Sequence, residues 1–164
     1  MADETVFSEL TPRKVELLLQ LSEAAFPIWK RFADAWGAET TEPDVVAEAT
    51  QAFAAIHDAA KAWLETGTLD AEELQAHVDS VDEGGNEAGE NSQTELADQA
   101  VPAQVAAVAV ETLAWALGQL AGVAIIGEGT PDPDGGGLEG ALEIADTEPE
   151  IGHIRDLWRQ LTTG

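Results

Sequence analysis

The chain reads as an all-α protein, a single-domain bundle of five to six helices. Apolar residues recur at three- and four-residue spacing through most of the 164 positions. Helix-starting pairs and glycine stops separate those runs, and no stretch alternates convincingly as a half-buried strand does. Hydrophobic residues make up 45% of the chain, enough to fill one core, so positions 1–164 are taken as one domain.

Thr11-Pro12 starts the first helix, since threonine caps and proline suits the first helical position. Val15, Leu18, Leu19, Phe26, Trp29, Ala33 and Trp36 fall near one face, and Leu17, Leu21, Ala24, Ile28 and Phe32 form a second stripe beside it. An apolar arc that wide predicts a helix packed on two sides. Pro27 lies inside the pattern and predicts a kink or break, because it removes one backbone bond. The second helix is expected to start around Thr41 to Asp44 and stop at Gly67, with Val45, Val46, Ala49, Phe53, Ile56, Ala60, Trp63 and Leu64 inward.

Asp70-Ala71-Glu72-Glu73 has capping-box spacing and opens a short helix through Leu74, His77, Val78 and Val81. Residues 82–91 hold three glycines, four acids and two asparagines without apolar periodicity, which predicts an exposed, mobile acidic loop. Ser92 to Glu95 is another capping box, and the helix after it is kinked or restarted at Pro102. Val101 to Ile126 is long enough to span a bilayer. Its many alanines and the lack of flanking lysine or arginine argue instead for a buried, alanine-rich central helix. Residues 127–140 are rich in glycine, proline and aspartate and form a loop, and Leu138 to Ala145 allows a short helical turn. Thr147 to Glu150 caps a last helix bearing Ile151, Ile154, Leu157, Trp158 and Leu161.

The formal charge is −25, from 32 acidic and 7 basic residues. Nucleic acid is excluded as a direct partner, since phosphates need lysine and arginine to neutralise them, and an anionic membrane surface would repel the chain. Between Lys61 and Arg155 lie 93 residues with no lysine or arginine and 20 carboxylates. Two readings compete. Acids spread over caps, loops and helix faces fit adaptation to a salt-rich cytoplasm, where the Debye length falls to about 3 Å at 1 M salt. A surface that steers a basic partner would need only one face. Met1 to Glu9 lacks a basic region followed by an apolar run, so no secretory signal is expected and the expected location is cytoplasmic.

No catalytic residue, cofactor or metal site is expected. The absence of cysteine excludes disulfides, thiol nucleophiles and cysteine-ligated zinc. Glu73 and His77 share a helix face at ligand spacing, but a metal needs three or four ligands and no second pair is offered. Asp132-Pro133-Asp134-Gly135 fails as a calcium loop, because Gly136 takes a ligand position and the closing glutamate is out of register. The glycines there lack the lysine of a phosphate loop, and Ser8, Ser22, Ser80 and Ser92 have no evident base. Trp29, Trp36, Trp63, Trp115 and Trp158 recur at apolar-face positions and read mainly as core. Trp36 and Trp158, near element ends, are the two expected to reach a groove or interface. The expected partner surface is therefore Asp82, Glu83, Glu87, Glu90, Asp132, Asp134, Trp36 and Trp158.

Glu23-Ala-Ala-Phe26-Pro27-Ile28-Trp29 followed by Phe32 resembles the first-helix pattern of the YjaG-like proteins, small bacterial helical proteins of unknown function. Trp63-Leu64-Glu65, the acidic helix at Leu69 to Val81, the alanine-rich run at Val108 to Gly118 and a closing helix with Ile154 and Leu157 follow the same order. The chain departs from that pattern at Ile28 and in its 127–140 loop. The resemblance implies an all-helical fold with Pro27 breaking the first helix, and implies no activity.

The expected function is a non-catalytic helical protein acting through protein–protein contacts, with another protein or with itself as a homodimer, on a salt-adapted acidic surface. The alternatives are an immunity or inhibitor protein that neutralises a basic toxin such as a nuclease, and a metal-dependent enzyme using Glu73 and His77.

Overall fold

Helix caps set the boundaries. In the computed structural model, which describes residues 11–37, 43–90, 97–123 and 149–163, five helices account for nearly every described residue. They are α1 (Pro12–Gly37), α2 (Pro43–Thr66), α3 (Ala71–Glu90), α4 (Ala97–Ala121) and α5 (Pro149–Thr163). No strand occurs among the described residues, and the chain is an all-α bundle.

Thr11 Oγ1 accepts the backbone N–H of Lys14 at 3.2 Å, the N-cap that the Thr-Pro pair predicts. Asp70 Oδ1 accepts from the Glu73 N–H at 3.1 Å and caps α3 in the same way. At the other ends two glycines take left-handed conformations. Gly67 (φ 73°) donates to the Trp63 carbonyl at 2.7 Å and stops α2. Gly122 (φ 80°) ends α4 in a Schellman turn, with the N–H of Val123 reaching the Gly118 carbonyl at 2.9 Å.

α1 is the centre of the bundle and packs against α2, α4 and α5, while α3 packs against α2 and α4. Its two apolar stripes are used as predicted: Val15, Leu18, Leu21, Ile28, Trp29 and Phe32 are almost fully buried. Aromatic rings run along its contact with α2. Phe26 stacks on Phe53 at 5.4 Å, Phe53 on Trp29 at 5.1 Å, Trp29 tilts onto Phe32 at 5.5 Å, and Phe32 stacks on Trp36 at 5.8 Å. The Trp29 indole N–H donates to Thr50 Oγ1 of α2 at 3.0 Å, so its burial leaves no donor wanting.

α4 is the one described helix long and apolar enough to cross a membrane, and 72% of that stretch is buried inside the bundle. This is the buried alanine-rich helix that the sequence predicts. Its apolar surface faces the other helices.

Three expectations change. Pro27 does not break α1, which runs uninterrupted from Pro12 to Gly37 with the proline on its exposed side. α4 likewise continues through Pro102. Residues 82–90 are not a loop but the second half of α3. Gly84 shows the reason: a Cβ there would lie 2.6 Å from the Ala49 Cβ and 2.8 Å from the Trp29 Cη2. The glycine is the point at which α3 seats directly on α1 and α2. Packing of that kind outweighs the helix propensity that Gly84 gives up, about 1 kcal/mol. Asn91 and the 127–140 loop lie outside the described residues.

Candidate functional site

Two polar pairs, the buried Glu111 of α4 and one cleft are candidates for chemistry among the described residues. The first pair is buried. Ser22 of α1 and His57 of α2, fully and 96% buried, face each other across the helix contact, with Ser22 Oγ 2.7 Å from His57 Nε2. They reach it because Leu18, Leu21, Ser22 and Ala25 share one face of α1, and Phe53, Ile56, His57 and Ala60 share one face of α2. Phe26 lies edge-on to the imidazole at 5.5 Å. Burial pushes the His57 pKa down to about 4; the nearby Glu23 carboxylate opposes that shift and the Lys61 ammonium adds to it. The ring is therefore neutral at pH 7.

A serine beside a neutral imidazole has the parts of a nucleophile and its base. It lacks access, because neither side chain lines the cleft described below and both are sealed by α1 and α2. Its role is to satisfy two buried polar groups. Sequence reading gave Ser22 no base, since the partner stands 35 positions away on another helix. The available signal was a polar residue on each of two apolar faces.

The second is the Glu73–His77 pair on α3, whose Oε1 and Nε2 atoms are 3.6 Å apart near the surface. The two do share one helix face, as their i,i+4 spacing predicts. Among the described residues no group of three or more histidine or carboxylate side chains converges on a point where a metal would sit.

The cleft opens between α2 and α3 with a volume of about 860 Å³. Ala55, Ala59 and Ala62 form its floor along successive turns of α2, and Leu69 and Leu74 supply the opposite apolar wall. Asp58 stands on the α2 margin, with Asp70, Glu72 and Glu73 on the α3 margin and His77 at one end. These four acids are exposed, and no lysine or arginine lines the cleft. Lys61 is on the same helix but turns to α1, where its Nζ meets Glu23 Oε2 at 3.1 Å.

Four of the residues predicted as a partner surface share the second half of α3. Asp82 is half-buried and Glu83 exposed, both on α3, and Glu87 and Glu90 lie on the last turns of that helix. Asp132 and Asp134 fall outside the described residues. Trp36 and Trp158 are corrections: each is only 6% exposed and belongs to the core. Trp36 lies against Phe32, and Trp158 is buried with Ile154 and Leu157 on the inner side of α5. Their places near helix ends do not expose them, because α5 packs onto α1.

Compared with protein-family models, curated proteins and solved structures, the chain matches none.

Proposed function

We propose that this chain is a non-catalytic helical protein that works through protein–protein contacts, and that the α2–α3 cleft is where the contact is made. The observation that carries this reading is an alanine floor between carboxylate margins, an apolar strip that a partner can cover. The sealed Ser22–His57 pair supports it, since the one nucleophile–base arrangement described has no route for a substrate. The acidic surface outside the cleft is read as adaptation to a salt-rich cytoplasm.

A photo-crosslinking residue placed at Ala59 tests the contact in the cells that make the protein, with Gln20, exposed on α1, as the control position. The expected result is a discrete adduct from Ala59 and none from Gln20. Equal labelling at both, or none at Ala59, overturns the reading. The salt component has its own test: the thermal transition should rise with potassium chloride, up to roughly 3 M, as the −25 charge is screened. A transition indifferent to salt removes that component.

The carboxylate margins also favour a second reading, an immunity or inhibitor protein that neutralises a basic toxin such as a nuclease. Reversing Asp58, Glu72 and Glu73 to lysine should then slow association with the toxin more than it speeds dissociation. A homodimer would instead show in sedimentation equilibrium as a mass that grows with concentration.

A further inference from the structure

Resting on that reading of the cleft, we infer that its occupant is a short amphipathic helix of a partner protein, with a narrow apolar face flanked by lysines or arginines. The floor supplies the first argument. Ala55, Ala59 and Ala62 follow one another at four- and three-residue spacing along α2, so a second helix can lie close against them. Volume supplies the second. A helix is about 10–12 Å across and rises 5.4 Å per turn, so 860 Å³ corresponds to about one and a half to two turns fully immersed or about three to four turns half-immersed.

Charge supplies the third. Asp70 caps α3, and Glu72 and Glu73 suit its first turn, so part of the acid margin also stabilises that helix. Asp58 stands opposite them on α2 and has no such duty. A helix seated between these margins meets carboxylates on both sides and no lysine or arginine in the cleft lining, which rewards flanking lysine or arginine. In concentrated salt the long-range field is screened and exposed ion pairs weaken, whereas pairs that a seated helix shields from solvent are screened less. The selectivity therefore belongs to the cleft and not to the overall charge of the chain.

The test titrates the full chain into a labelled helical peptide of about four turns, with alanine and leucine on one face and lysines along both edges. A second peptide carries glutamine in place of each lysine. Three variants are compared after circular dichroism shows them folded: Asp58→Asn with Glu72→Gln and Glu73→Gln; Ala59→Trp, which fills the floor at unchanged charge; and Glu16→Gln with Asp34→Asn and Asp156→Asn, exposed acids elsewhere. The cleft triple should weaken the lysine peptide about tenfold, the distant triple by less than about twofold, and Ala59→Trp should remove binding.

Equal weakening by the two triples would mean diffuse attraction and overturn the inference. Equal affinity for both peptides, lost in Ala59→Trp, would overturn the cationic requirement and leave the docking reading standing. Binding that ignores Ala59→Trp would remove the cleft from both. A wild-type dimer that Ala59→Trp makes monomeric would assign the cleft to a second copy of this chain.

Discussion

The two flanks of α2 are built from different side chains and do different things. Toward α1 it presents Phe53, Ile56 and His57, and the space is filled by stacked rings and one polar pair. Toward α3 it presents alanines. Ala49 lies where Gly84 lets the backbones meet, whereas Ala55, Ala59 and Ala62 lie where the same two helices leave a cleft. A small side chain is thus not a structural signature by itself. Its meaning depends on whether the opposite helix is also small at that level.

That contrast can be broken at its tightest point. Gly84→Leu drives a side chain into Ala49 and Trp29, and unfolding in urea should show a loss of about 3 kcal/mol. A variant as stable as the parent would mean that α3 is not seated there. An effect of similar size comes from acid on the other flank. His57 titrates near 6.5 when unfolded and about 4 in the fold, so between those values the unfolded chain holds a proton that the native chain refuses. Its contribution is complete above pH 6.5, declines as pH falls through about 4, and totals about 3 kcal/mol. Protonation of the many carboxylates relieves repulsion over the same range, so the measurement is the difference between the parent and His57→Gln. Parallel pH profiles for the two would show that the ring is not held neutral.

Ser22→Ala should cost about 1–2 kcal/mol, because it leaves the His57 nitrogen without its 2.7 Å partner. It should also move the pH profile, which a simple packing loss would not. The smallest effect sharpens the comparison most. Ala59→Leu, ten positions from Ala49 on the same helix, should stay within about 0.5 kcal/mol of the parent, whereas Ala49→Leu should approach the Gly84 variant. Equal penalties at 49 and 59 would mean that the cleft closes in solution.

Much of the fold was legible because it is written locally. The Thr11 and Asp70 caps, the Gly67 stop and the double stripe of α1 are signals that a few neighbouring residues carry. The second half of α3 was not legible, since Gly84, Gly85, Asn86 and Gly89 look like loop residues until Ala49 and Trp29 are known to lie against Gly84. Proline misled in the opposite direction: α1 absorbs Pro27 on its exposed side. The candidate site was the least readable. Glu73 and His77 were paired correctly from their spacing, but the cleft needs the alanine face of α2 to meet the first turn of α3. Ser22 and His57 likewise become partners only when two helices dock.

The contact between α1 and α5 joins the first described helix to the last, and it sets an order of events during synthesis. More than a hundred residues separate the end of α1 from the start of α5. At roughly 5–20 residues per second, α1 leaves the ribosome on the order of ten seconds before the helix that will cover one of its sides. Through that interval its leucines and tryptophans have no lid, while α2, α3 and α4 emerge in turn to take the rest of its surface.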